Sequence, residues 1–293
     1  MHWCIWAGIY FRETDSTTAS RAHENTKIAK EIAFGIIGFG NMGQAIATGL
    51  RARKAKTIAF DINGPKVARF PFVEKAGSVG EVARKADFIF IAVKPHDAKT
   101  VLEELKSAIT GHVLASVCAG VSITNIESEI GKTASIVRAM PNVAASVGSA
   151  PVFYCCNGEA EKQAGLIESC LTLLGTPLGI TENMFDAATS AGGSGIAFVF
   201  EFLSSIEDSA VRIGFSREDS KEIALTLVEG AVRMARKRGM DFTSARNMVT
   251  SPGGTTAEGL QVLNRTGFRG IVSAAFSASK DKAAKITAAM GVE

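Results

Sequence analysis

Gly38-Phe39-Gly40-Asn41-Met42-Gly43 follows the apolar run Ile32–Ile37 and opens a stretch of helical composition. That spacing suits a turn that holds the pyrophosphate of a dinucleotide. Gly38 permits the tight turn, Gly40 lets the backbone approach the phosphates, and Gly43 lets the helix pack closely on the strand. The start of the helix adds unpaired N–H groups and a partial positive charge. Asp61 ends the next β-rich run, about 20 residues on, where a carboxylate accepts hydrogen bonds from a ribose 2′-hydroxyl. That favours NAD(H). Lys66 and Arg69 follow closely and could neutralise a 2′-phosphate, so the choice between NAD(H) and NADP(H) stays open.

A second chemically suggestive run is Ser251-Pro252-Gly253-Gly254-Thr255-Thr256. Pro252 and two adjacent glycines make an irregular turn that leads into a helix and leaves backbone N–H groups unpaired. Such a nest binds an anion, a carboxylate among them. Helix caps alone rarely need two adjacent glycines. Gly193-Ser194-Gly195 is no nucleophile elbow, because it sits at an expected helix start rather than after a strand, with no histidine near in sequence.

The elements that must carry these groups alternate. Apolar β-rich runs at Ile32–Ile37, Thr57–Phe60, Phe88–Val93, Val113–Cys118 and Ser135–Val137 are separated by helical patterns at Gln44–Arg53, Val79–Arg84, Ala98–Ile109 and Thr124–Ile130. Continuous rather than alternating apolar strands are those of a parallel sheet covered on both faces. The fold class expected is α/β: an N-terminal Rossmann-type doubly wound parallel sheet over residues 31–181, with a C-terminal all-helical domain over residues 182–293. Val152–Cys155 and Pro177–Ile180, flanking a helix over Glu159–Leu174, would close the sheet. Within the helical domain Ser216 is an expected N-cap, with Asp219 in the first turn. These helices are apolar enough to need burial against a second subunit.

Composition excludes several other classes. The chain has 293 residues, 46% hydrophobic and 21% charged, with a net charge of +3 from 32 basic and 29 acidic residues. No long basic run points to nucleic acid. Five cysteines and four histidines show neither Cys-x-x-Cys nor His-x-x-x-His spacing, so no metal is expected and a reducing cytoplasm is the default. Residues 1–30, which hold both tryptophans, read as a disordered or non-native-like extension rather than a targeting signal. Their apolar stretch is shorter than the roughly 20 residues of a membrane span.

Four further segments, together with the Gly38–Gly43 turn, resemble one family. They are Ala92-Val93-Lys94-Pro95, Ser116-Val117-Cys118-Ala119-Gly120-Val121, Arg138-Ala139-Met140-Pro141-Asn142 and the Ser251–Thr256 run. The resemblance is to pyrroline-5-carboxylate reductase and spans about Glu31 to Lys285. It implies NAD(P)H-dependent reduction of 1-pyrroline-5-carboxylate to L-proline, the last step of proline synthesis, in a homodimer or a larger ring of dimers. It also implies that Gly38, Phe39, Gly40, Asn41, Met42, Gly43 and Asp61 bind cofactor, as do Ala92, Val93, Lys94, Pro95, Cys118, Ala119, Gly120 and Asn142. Ser251, Gly253, Gly254, Thr255 and Thr256 would hold the substrate. In the family's scheme the hydroxyl matching Thr256 bonds the ring nitrogen and acts in catalysis.

The chain departs from the family pattern at Val143, Gly192, Ile196 and Phe198, where the family usually has Thr, Ser, Pro and Tyr. Those changes imply a less polar pocket, compatible with a related cyclic imine or with a dinucleotide-binding paralogue that does not turn over. Glu182 matches a family acid. The helix start Gly193–Phe200 lacks the lysine of a 3-hydroxy-acid dehydrogenase.

Overall fold

The structure is a computed structural model that describes residues 31–239 and 241–290, together with two short strands, Trp3–Trp6 (β1) and Ile9–Arg12 (β2). β1 and β2 form an antiparallel pair. The rest of the extension expected at residues 1–30 lies outside the described residues.

Eight strands form the main sheet: β3 (Ala33–Ile37), β4 (Lys56–Phe60), β5 (Glu74–Lys75), β6 (Phe88–Ile91), β7 (Val113–Ser116), β8 (Ser135–Met140), β9 (Ala150–Cys156) and β10 (Gly175–Gly179). Their order across the sheet is β10-β9-β8-β7-β6-β3-β4-β5. From β5 across to β8 every pairing is parallel. β9 reverses against β8, and β10 runs parallel to β9. The reversal has a simple cause: only Pro141–Ser149 separates β8 from β9, and a parallel return needs a crossover of a dozen or more residues.

The central strands are apolar because both faces are covered. β6 is Phe-Ile-Phe-Ile with all four residues buried. Phe88 and Phe90 point into one core layer with Phe34, Ile36 and Ile46, while Ile89 and Ile91 point into the other with Ile37, Val82 and Leu102. The Phe88 and Phe90 rings lie 5.0 Å apart and Phe34 lies 5.8 Å from Phe88, within aromatic contact range. The chain leaves the β4–β5 edge and re-enters beside β3 as β6. That switch opens a crevice at the carboxyl ends of β3 and β6, the usual ligand position in an open α/β sheet.

The described chain divides into two compact units, one running to Ser194 and including Ser279 onward, the other Gly195–Ala278. Contacts thus group Glu182–Ser194 with the sheet. Arg138 on β8 is 3% exposed, and its Nη1 donates to Glu182 Oε1 at 3.1 Å. The same oxygen accepts from the N–H of Ile123, the first residue of the helix Ile123–Ile130 (2.7 Å). The Arg138 guanidinium also stacks over Phe185 at 4.2 Å. Thr287, on the last turns of the long helix Phe268–Met290, donates to Asp186 at 2.7 Å.

The second unit contains the helices Gly195–Arg212, Arg217–Arg238, Phe242–Met248 and Thr255–Arg265, and the start of Phe268–Met290. Ser216 caps Arg217–Arg238 by accepting from the Asp219 N–H, as expected. These helices carry exposed large apolar residues, including Phe200 (58%), Leu227 (58%) and Ile271 (64%). The helix expected over Glu159–Leu174 is two, Gly158–Glu161 and Ala164–Thr172.

Glu182 supplies the counter-charge for a buried guanidinium, and removing one partner of a buried pair costs about 3–5 kcal/mol, less where one partner is part-exposed. Glu182→Ala is expected to lower unfolding free energy by about 2–3 kcal/mol in denaturant titration, and Glu182→Gln by clearly less. Equal stability of Glu182→Ala and the parent chain would contradict this account.

Candidate functional site

The glycine turn is held from both sides by main-chain bonds. The Gly38 N–H donates to the Phe60 carbonyl at 2.8 Å and the Ala92 N–H to the Ile37 carbonyl at 2.7 Å, which joins the ends of β3, β4 and β6. Gly38 has φ +92°, in the region that favours glycine, and a Cβ there would lie 2.7 Å from the Ala92 backbone. A Cβ on Gly43 would clash with the Gly38 carbonyl oxygen. At Gly40 a Cβ would meet nothing within 4 Å, so this backbone faces open space. Gly40 is also the N-cap of Asn41–Ala52 and offers no capping side chain. The first N–H groups of that helix therefore have no side-chain acceptor, an arrangement suited to phosphate oxygens.

Asp61 has two tasks. Its Oδ2 accepts from the Phe39 N–H and its Oδ1 from the Asn63 N–H, both at 2.7 Å, and Lys66 Nζ lies 3.5 Å from Oδ1. The carboxylate thus ties the glycine turn to the end of β4, while Oδ2 keeps a lone-pair direction for a further donor.

A cleft of about 680 Å³ runs over these groups. Of the expected cofactor residues, Gly38, Gly40, Asn41, Met42 and Asp61 line it from the turn side. Ala92, Val93, Lys94 and Pro95 line it beyond β6, and Cys118 and Ala119 beyond β7. Four expected residues lie elsewhere. The Phe39 ring is fully buried edge-on to Phe70 at 5.1 Å, and Gly43 sits under the turn. Gly120 packs under Ile286 and Met290 of the last helix. Asn142 is 4% exposed, with its side chain donating to the Gly192 carbonyl at 2.8 Å and accepting from the Ala144 N–H at 2.9 Å. These four support the cleft walls rather than face the opening.

Ile62, Val79, Thr100, Val101, Glu104 and Val143 also line the cleft, although no motif in the sequence marks them for it. Thr100, Val101 and Glu104 lie on the helix Ala98–Leu105, where they read as ordinary positions of an amphipathic helix. Ile62 follows Asp61 directly and gave the one usable signal.

Cys118 is 2% exposed and its Sγ donates to the carbonyls of Val93 (3.3 Å) and Ile91 (3.4 Å). Burial pushes its pKa up to about 11, so the thiol stays protonated near neutral pH. It links the ends of β6 and β7 and is no nucleophile. Among the described residues no three His, Cys, Asp or Glu side chains come together in a way that could hold a metal.

Gly192 lies in a π-helical turn, Thr189–Ser194, a form frequent at functional sites. A Cβ on Gly192 would approach the Phe153 ring to 2.7 Å. The absence of a serine at this position therefore has a packing cause, the Phe153 ring. Phe198 likewise has an apolar partner, packing edge-on to Phe276 at 5.1 Å.

The Ser251–Thr256 run belongs to the helical unit. Gly253 has φ +65°, the Gly254 N–H donates to the Ser251 carbonyl at 3.1 Å, and Gly254 is the N-cap of Thr255–Arg265 with no side-chain cap. Thr255 and Thr256 begin that helix, both exposed. The turn is open at a helix N-terminus, as its composition predicts.

Comparison with known proteins matches this layout. Residues 182–286 match the pyrroline-5-carboxylate reductase dimerisation family, and residues 33–120 match a family described as NADP oxidoreductase, coenzyme F420-dependent. A pyrroline-5-carboxylate reductase of Aquifex aeolicus is 38% identical over 257 residues, 86% of this chain and 96% of that protein. The crystal structure of Plasmodium falciparum pyrroline carboxylate reductase with NADP bound superposes with a TM-score of 0.79 at 31% identity, covering 88% of this chain and 99% of that one. A Coxiella burnetii pyrroline-5-carboxylate reductase gives 0.80 at 29%, covering 87% and 98%. Matching such relatives over nearly their full length, the chain belongs to the pyrroline-5-carboxylate reductase family.

Proposed function

We propose that this chain reduces 1-pyrroline-5-carboxylate to L-proline with NAD(P)H. The observation that carries the reading is near full-length similarity to proteins named for that reaction, in a chain that keeps an open phosphate-ready turn.

The dinucleotide, when bound, supplies the hydride. The uncapped N–H groups at the start of Asn41–Ala52 hold its pyrophosphate, and Asp61 its adenosine ribose. Ala92–Pro95, Cys118 and Ala119 line the path for the second ribose and the nicotinamide. The backbone N–H groups of Gly253 and Thr255 receive the substrate carboxylate, while the Gly254 N–H bonds the Ser251 carbonyl and holds the turn in shape. The Thr256 hydroxyl bonds the ring nitrogen, orients the C=N bond and carries a proton towards nitrogen as carbon accepts hydride. As nitrogen takes that proton the carbon becomes electrophilic, so positioning and charge complementarity account for the protein's share. Gly192 and Phe198 have packing partners of their own, which favours the parent substrate over a larger cyclic imine.

The apolar helices of the second unit form a homodimer, or a larger ring of dimers, through the region that matches the dimerisation family. No described helix is long and apolar enough to cross a membrane. The free thiols at Cys118, Cys155, Cys156 and Cys170 suit the cytoplasm.

Three outcomes are expected. Purified protein oxidises NADH or NADPH only when pyrroline-5-carboxylate is added, followed at the nicotinamide absorbance; nucleotide binding without oxidation would sink this function. Thr256→Ala lowers turnover about tenfold or more with dinucleotide affinity little changed, in line with the loss of a positioned proton donor; an unaffected variant removes the role of that hydroxyl. Light scattering gives the mass of a dimer or a multiple of it, and a monomer contradicts the assembly.

A further inference from the structure

We infer that this chain selects NADH over NADPH, and that Asp61 and Ile62 at the end of β4 make the selection; the inference rests on the cleft being the dinucleotide site. The related Plasmodium structure carries NADP, so the fold itself accepts a 2′-phosphate and side chains must decide.

The Asp61 carboxylate is not free to turn away. Both oxygens are held by main-chain N–H groups, of Phe39 and Asn63, at 2.7 Å. Its side chain is only 8% exposed, yet it lines the cleft. The carboxylate is therefore fixed in the cleft wall. A ribose 2′-hydroxyl can donate to it. A 2′-phosphate, with about two negative charges and no proton to donate, is repelled.

Of the two cations that follow Asp61 in sequence, Lys66 lines the cleft but is already engaged, and Arg69 does not line it. Lys66 is the one cation paired with Asp61 among the described residues, at 3.5 Å, and a single ammonium shared with a carboxylate cannot also balance a phosphate. Bidentate recognition of a phosphate is the work of an arginine. At the position beside Asp61 the chain has Ile62 instead, 94% exposed and lining the same cleft. An exposed isoleucine there offers an apolar face to the adenine ring and nothing to a phosphate.

The test measures binding without any imine, so it stands apart from the identity of the substrate. NADH and NADPH are titrated calorimetrically into the full chain, Asp61→Asn and Ile62→Arg. The parent chain is expected to bind NADH about tenfold or more tighter than NADPH, a difference of about 1.4 kcal/mol. Asp61→Asn should narrow that ratio about tenfold by tightening NADPH, since Asn keeps an acceptor for the turn but not the charge. Ile62→Arg, at an exposed position that cannot cost the fold, should independently tighten NADPH. NADPH bound equally or more tightly by the parent chain overturns the selection, and an NADH preference unchanged in both variants overturns its assignment to these residues. If neither dinucleotide binds, the cleft is not the dinucleotide site and the selection falls with it. Binding as expected without turnover of pyrroline-5-carboxylate leaves the selection standing and removes only the proposed reaction.

Discussion

The carboxylate of Asp61 and the N–H of Phe39 lie far apart in sequence, and their 2.7 Å bond joins the ends of two parallel strands at the point where a helix begins. Around it the Gly38 N–H bonds the Phe60 carbonyl and the Ala92 N–H bonds the Ile37 carbonyl, so three strand ends are fixed to one another. The helix Asn41–Ala52 can then present its N-terminus uncapped, because the turn before it is held by the Asp61 carboxylate and by main-chain partners. A buried or half-buried helix end normally needs acceptors. Here no side chain accepts from the first N–H groups, an arrangement suited to an anion.

The rest of the sheet makes that crevice rigid. β6 is buried on both faces, and Cys118 bonds back to the strand before it, so the wall opposite the turn has few ways to move. Arg138 performs a comparable task deeper in the fold. Its guanidinium, shared between Glu182 and the face of Phe185, draws the connection after β10 onto the sheet and caps the helix Ile123–Ile130 through the same carboxylate. This explains why Glu182–Ser194 belongs with the sheet although its composition is helical. It also brings Gly192 against Phe153 and Asn142, so a departure from the family pattern becomes a matter of steric fit.

The helical unit is different in kind. Two of its helices are capped, by Ser216 and by Asp241, but the unit leaves large apolar residues such as Phe200, Leu227 and Ile271 in solvent. Isolated monomers rarely expose that much apolar surface without a partner. Stability of this unit is thus tied to association, which fits its match to a dimerisation family. The Ser251–Thr256 turn sits on this same unit, at the head of a helix whose last turn ends in Arg265.

Residue types and spacing alone were enough for the alternation of strands and helices, the glycine turn, the acid at the end of the second long strand and the cap at Ser216. Each is a local property: apolar runs with no polar face, glycines where a Cβ has no room, a short polar side chain before a helix. The family could be read as well, because its motifs lie at strand ends and turns where backbone geometry leaves little choice of residue. Other features depended on partners distant in sequence. The reversal at β9, the place of Glu182–Ser194, the burial of Phe39 and Asn142 away from the opening, and the clamping of Asp61 by two N–H groups all arise from such contacts. Arg138 and Glu182, 44 positions apart, or Gly192 and Phe153, carry no joint signal in a single sequence. They meet only once the sheet has formed, and then a carboxylate that spacing marks as a ribose ligand also becomes the tie that holds the turn in place.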